Sequence, residues 1–92
     1  EVRVEVRVAI ERLAEARAVL TLYEQRMLPA VRAQVDAALA GFITDRNEFQ
    51  AVIAAERGLR RVTLEIERAR ADVYRRIAEL DRSIGRIPGG AR

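Results

Sequence analysis

The chain has 92 residues, of which half are hydrophobic but only 4% aromatic, and its formal net charge is +3. At this length it makes one domain at most, and its Ala-rich, aromatic-poor composition suits closely packed helices better than an enclosed ligand pocket. It contains neither Cys nor His. That excludes disulfides, thiol chemistry and the imidazole and thiolate ligands that softer metal ions prefer.

Charged residues of both signs are mixed along the chain. All 17 basic residues are Arg, and acidic residues are interleaved with them. This patterning is typical of a solvated surface, whereas a nucleic-acid site needs a one-sided basic face with stacking aromatic side chains. We therefore expect no nucleic-acid partner. No apolar run approaches the roughly 20 residues of a membrane-spanning helix.

The first nine residues, EVRVEVRVA, fit two patterns. Valines at positions 2, 4, 6 and 8 alternate with other residues, as in a half-buried strand. Val2, Val6 and Ile10 also follow a helical spacing that continues into the next segment. No turn signal separates the two segments, so we favour a helix, with a strand as the alternative.

A first long helix is predicted over residues 2–44. Its apolar stripe consists of Ile10, Leu13, Ala16, Leu20, Tyr23, Met27, Val31, Val35, Ala38 and Phe42. Pro29 removes the backbone hydrogen bond to Gln25 and bends a helix. Because the periodicity continues beyond it, we expect a kink near Pro29 and no chain reversal. The alternative is that Pro29 lies in the first turn of a separate helix.

A turn over residues 45–47 and a second helix over residues 48–85 follow. Asp45 as N-cap with Glu48 three residues later approximates a capping box. The apolar stripe of this helix consists of Phe49, Val52, Ile53, Glu56, Leu59, Thr63, Ile66, Ala69, Val73, Ile77, Leu80 and Ile84. Gly85 is a helix terminator, and residues 87–92 are expected to form a disordered tail.

The expected fold is all-α, a long antiparallel helical hairpin that resembles a coiled coil. Apolar residues also lie off the two stripes: Val8, Val19, Leu39, Val62 and Ile87. These indicate that each helix contacts neighbours on two sides, so we expect the isolated chain to self-associate into a bundle.

Catalytic patterns are lacking in the sequence. There is no Gly-rich phosphate loop and no pair of acids in an apolar setting, and Ser83 has no base nearby in the pattern. We expect neither an enzyme nor a bound metal or cofactor.

One ordered set of residues spans most of the chain. It comprises Tyr23, Met27, Leu28 and Pro29; Ala40 and Phe42; Asp45, Arg46, Asn47, Glu48 and Phe49; the segment 52–57; and Tyr74, Leu80 and Gly85. In this order the residues resemble the last periplasmic portion of TolC-type outer membrane efflux proteins, in the branch associated with metal-cation export. The resemblance covers roughly residues 10–85.

The resemblance implies a structural role in a Gram-negative outer-membrane protein. Members of this family are homotrimers whose helices form a periplasmic tunnel, and this hairpin would supply part of the tunnel wall. Four turn residues would dock a periplasmic adaptor (membrane fusion) protein: Asp45, Arg46, Asn47 and Glu48. Gly41, Phe42 and Phe49 would shape and anchor the turn.

The chain departs from the family pattern at three positions. Asp45 stands where the turn usually has Gly, and Ala51 and Ala54 stand where some members carry acids. The resemblance therefore implies no ring of carboxylates that would select cations. The alternative function is a self-contained hairpin that acts as a scaffold or oligomerisation module. Because the chain begins with Glu1 and not Met, we expect it to be a piece of a longer protein.

Overall fold

Helices account for nearly all of the computed structural model, which describes residues 1–86. The elements are α1 (Val2–Leu22), a π-helical turn (Tyr23–Met27), α2 (Leu28–Thr44), a 3-10 turn (Arg46–Glu48) and α3 (Phe49–Gly85). They form two helical stretches of 43 and 40 residues, and residues 1–86 contain no strand. The prediction of an all-α helical hairpin is confirmed, and the valine-rich start of the chain is helical. The predicted tail, residues 87–92, lies outside the described residues.

The chain divides into two compact units. The first combines Glu1–Leu20 with the part of α3 from Arg68 onward, and the second is Thr21–Glu67. Each unit therefore contains a helix from before the turn and a part of α3. We call the buried and half-buried positions within each unit its seam.

Two ion pairs define the helix pairing in the first unit. Arg86 Nη1 lies 3.3 Å from Glu5 Oε2, and Arg12 Nη1 lies 4.0 Å from Glu79 Oε1. Seven residues forward, from Glu5 to Arg12 in α1, thus correspond to seven residues backward, from Arg86 just after α3 to Glu79 within it, so the two segments are antiparallel. The buried residues of this unit are Ala9, Leu13, Ala16, Ala69 and Ser83. All but Leu13 are small, so they fit between helices that approach closely.

Arg76 occupies a seam position of α3 in the same unit. Its Nη1 donates a hydrogen bond of 2.9 Å to Glu79 Oε2, and its Nε lies 3.5 Å from Asp72 Oδ1. The Arg76 side chain keeps 30% of its surface exposed. The aliphatic stem can therefore cover the seam while the guanidinium remains partly solvated.

The second unit has a thinner seam. Its buried residues, Val52, Val62 and Ile66, all belong to α3, and α2 has no buried residue. The half-buried positions of α2 are Leu28, Val31, Val35, Ala38, Gly41 and Phe42. A single seam between two helices buries little apolar surface, so this unit gains little stability from burial.

The structure corrects several seam positions that the sequence suggested. Ile10 and Met27, which were predicted in the stripe, are 51% and 40% exposed. Glu56 and Thr63 are exposed as well, whereas Val62, predicted off the stripe, is buried. All five buried residues of α3 lie on one repeat of non-exposed positions with alternating spacings of three and four residues, the 3.5-residue repeat of a coiled coil: Val52, Ala55, Leu59, Val62, Ile66, Ala69, Val73, Arg76, Leu80 and Ser83. The predicted stripe was wrong at Ile10, Glu56, Val62 and Thr63 because it followed a straight helix of 3.6 residues per turn.

Large apolar side chains remain exposed along all three helices. They are Val4, Ile10, Val19, Leu22, Met27, Leu39, Ile43, Phe49, Leu64 and Tyr74, each at least 40% exposed. Val19 and Leu39 were expected to lie outside the seam; Ile87 lies outside the described residues. Exposed apolar side chains that form a contiguous patch mark an interaction surface, whereas singly scattered ones are normal.

Candidate docking site at the turn

The carbonyl oxygen of Gly41 accepts two hydrogen bonds at the C-terminal end of α2. It accepts hydrogen bonds of 2.9 Å from the Asp45 N–H and 2.9 Å from the Thr44 hydroxyl. Carbonyl groups in the last turn of a helix have no partner further along the helix, so these two donors satisfy one of them. The end of α2 is therefore fixed by local hydrogen bonds.

Asp45 begins the second helical stretch. Its Oδ1 accepts a hydrogen bond of 2.9 Å from the Asn47 N–H, and its carbonyl oxygen accepts one of 3.0 Å from the Glu48 N–H. The first of these is N-capping, which typically contributes about 0.5–2 kcal/mol. The Asp45 N–H is already bonded to Gly41, so the geometry is an Asp45 cap without the reciprocal Glu48 arm of a capping box.

The backbone of Asp45 explains why no Gly is needed here. Its φ of −146° and ψ of 109° are extended, and any residue adopts that conformation. The turn from α2 to α3 therefore requires no left-handed residue at this position, and Asp contributes a cap that Gly could not supply.

An aromatic pair closes the turn. The ring centroids of Phe42 and Phe49 are 5.8 Å apart and their planes are inclined by 50°. Tilted pairs at this separation contribute about 0.5–1.5 kcal/mol beyond the area they bury. Phe42 is half-buried and Phe49 remains 51% exposed, so the pair holds the turn together and still presents one ring to solvent.

The structure thus brings together the residues that the sequence singled out at the turn. Asp45, Arg46, Asn47 and Glu48, which we call the tip, are all exposed. Gly41 adjoins them, and a methyl group added to it would meet no other atom within 4 Å. The space around Gly41 therefore does not require Gly.

Sequence reasoning missed Ile43, the most exposed large apolar residue among those described, at 82%. It lies in the last turn of α2 directly before Thr44. Its position outside the repeat of half-buried α2 residues is the signal that could have found it. Ile43 and Phe49 place apolar surface on either side of the charged tip.

Pro29 lies away from the tip, at the start of α2. The chain does not reverse there: Met27 and Leu28 have helical φ and ψ angles of −71°, −44° and −64°, −48°. The preceding segment is a π-turn in which the Leu28 N–H donates to the Tyr23 carbonyl. The feature associated with Pro29 is therefore a widened helical turn.

A charged cleft of about 370 Å³ lies in the first unit, a second feature that sequence reasoning missed. The charged side chains that line it are three acids and three bases: Glu1, Glu5, Glu79, Arg12, Arg82 and Arg86. Two ion pairs, Glu5 with Arg86 and Arg12 with Glu79, already join four of them. Acidic and basic side chains are equal in number, so the cleft favours neither anionic nor cationic ligands.

Metal and membrane features are lacking in the part of the chain that the structure describes. Residues 1–86 contain no group of three or more acidic side chains placed to hold a metal ion. None of the helices in this range combines the length and apolar character required to cross a bilayer.

Comparison of the chain with family models, with curated proteins and with solved structures finds no match. We therefore infer function from the sequence and geometry of the chain itself.

Proposed function

We propose that this chain forms part of the wall of the periplasmic tunnel of a trimeric TolC-type efflux duct. Its tip docks a periplasmic adaptor protein in this proposal, and it acts by shape and contact, without catalysis. The resemblance of residues 10–85 to such proteins supports the proposal. So does the confirmed fold, a hairpin of two helical stretches of 43 and 40 residues.

The observation that carries the proposal is the exposure of ten large apolar side chains in residues 1–86. A two-helix hairpin has only one seam and cannot cover them itself. In a tunnel wall each hairpin has neighbours on two sides, and burial of these side chains would stabilise the assembly by about 25 cal/mol per Å² of apolar surface.

The tip suits a docking role. Apolar Ile43 and Phe49 flank it, and its own side chains supply both charges and an amide. Specific protein interfaces combine an apolar centre with a polar, solvent-accessible rim. The hydrogen bonds of Gly41 and Asp45 hold this surface in one conformation, which lowers the entropy cost of binding.

Charge reversal at the tip tests the docking role. The double variant Arg46→Glu with Glu48→Arg, made in the intact protein, is expected to weaken adaptor binding and export. A matched control is Glu56→Arg with Arg60→Glu, since both residues are exposed on α3 outside the tip and the net charge is again unchanged. Normal binding and export in the tip variant would refute the docking role.

A self-contained scaffold or oligomerisation hairpin is the second candidate, because the same exposed apolar side chains would serve it. Sequencing the gene on both sides of this segment separates the two. A signal peptide, strand-like segments and an earlier copy of the hairpin support the duct. A reading frame limited to this hairpin supports the scaffold.

A further inference from the structure

The least exposed positions of α1 follow a strict heptad repeat. They are Val2, Val6, Ala9, Leu13, Ala16 and Leu20, and the repeat continues to Tyr23 at the start of the π-turn. The spacings alternate between four and three residues throughout. Val8 is the one other residue of α1 that is not exposed.

The repeat of α2 is displaced by one residue. If the heptads of α1 continued unbroken, the next seam positions would be Met27, Ala30, Gln34 and Ala37, and all four are exposed. The half-buried positions are instead Leu28, Val31, Val35 and Ala38, each one residue later. After the three-residue spacing from Leu20 to Tyr23, the heptad repeat requires a spacing of four. The observed spacing, from Tyr23 to Leu28, is five residues.

The π-turn lies at this step. The Leu28 N–H donates to the Tyr23 carbonyl, five residues back, so the turn contains one residue more than an α-helical turn. Each residue of an α-helix rotates the side-chain direction by about 100°. If all residues were kept but the widened turn were replaced by an α-helical turn, the repeats of α1 and α2 would be out of phase by that angle.

We infer that the π-turn Tyr23–Met27 is a register-resetting insertion. It absorbs one surplus residue so that the apolar positions of α1 and of α2 can each lie in the seam of their own unit. This is a conformational device in the hairpin itself, and it does not depend on the proposed function.

Pro29 offers a competing cause, because proline lacks an N–H and clashes with the carbonyl four residues back. The two causes predict opposite results for a deletion and for a replacement of Pro29. If the insertion sets the π-turn, deleting one residue removes the need for it, and replacing Pro29 leaves it in place. If Pro29 sets it, replacing Pro29 removes the π-turn and shifts the register of one flanking helix.

The absence of Cys in the chain allows a clean test with single cysteines. One pair of alanines in each helix shows which face of that helix lies in the seam. In α1, Ala16 is buried and Ala18 exposed; in α2, Ala38 is half-buried and Ala37 exposed. A cysteine at the seam position of each pair should react with a soluble alkylating agent several-fold more slowly than its partner.

Deletion of Gln25 should leave both protection patterns intact and the melting temperature unchanged or raised. Deletion of exposed Ala71, in the unbroken repeat of α3, is the matched control. It should lower the melting temperature by about 8 °C or more, since roughly 2 kcal/mol corresponds to that shift at this chain length. Equal loss of stability in the two deletions would overturn the inference.

Pro29→Ala provides a second readout that does not rely on a deletion variant. Both cysteine pairs should keep their protection patterns, because the surplus residue is still present. Reversal or loss of protection in either pair would assign the π-turn to Pro29 and contradict the inference.

Discussion

Phe42, near the end of α2, and Phe49, the first residue of α3, hold the two sides of the turn together through rings 5.8 Å apart. Residues 1–86 contain no other aromatic ring pair, and the buried residues of the second unit, Thr21–Glu67, all belong to α3. The turn is therefore stabilised locally, by this pair and by the Asp45 cap.

Phe49→Ala should destabilise the chain by about 1–2 kcal/mol, since it removes the ring contact and part of the apolar burial. Thermal unfolding followed by circular dichroism measures this loss. Ile43→Ala is the control, because Ile43 is 82% exposed and should change stability little. Equal losses in the two variants would contradict the assignment of the pair.

Asp45→Ala removes the acceptor of the Asn47 N–H and should cost about 0.5–2 kcal/mol. Asp45→Asn keeps a side-chain oxygen at the same place and should retain most of the stability. Chemical denaturation of the two variants gives the comparison. If Ala and Asn prove equivalent, the capping hydrogen bond does not stabilise the turn.

Gly41→Ala should stabilise the isolated chain by up to about 1 kcal/mol, because Ala is the better helix former. A methyl group at this position meets no other atom within 4 Å, so no clash offsets the gain. A lower melting temperature in the variant would show that Gly41 is required by the hairpin itself. If the variant is more stable but impairs assembly of the intact protein, Gly41 serves a contact with a neighbour.

The isolated chain should self-associate at micromolar concentrations, because its exposed apolar side chains lack partners. Sedimentation velocity should give species larger than a monomer. Val19→Arg with Leu39→Arg should reduce the association, since both side chains are exposed and lie outside the seam. A monodisperse monomer of the parent chain over this range would refute the expectation.

The sequence predicted the helices and the turn because their signals are local. Gly41, the capping residue Asp45 and the helix terminator Gly85 each act on backbone within a few residues of themselves. The extended conformation of Asp45 was not predicted, because the sequence showed only that Asp stands where the turn usually has Gly. In the structure Asp45 has a negative φ and caps the following turn, so this position does not need Gly.

The sequence predicted less accurately which side chains face the seam, because that depends on packing between helices. Counting Tyr23, Met27 and Val31 at spacings of four concealed the surplus residue and placed Met27 in the seam. The structure places Leu28 there, after a π-turn that no propensity rule anticipates. The exposure of Ile43 likewise follows from where the seam ends at the turn.

The most direct test of the duct proposal is site-specific photo-cross-linking in the native host. A photoreactive amino acid would replace Arg46 at the tip in one experiment and Val19, exposed on α1, in another. We expect position 46 to cross-link to a periplasmic adaptor protein and position 19 to a second copy of the same protein. Cross-links from position 46 that never include an adaptor, while position 19 still captures a second copy, would contradict it.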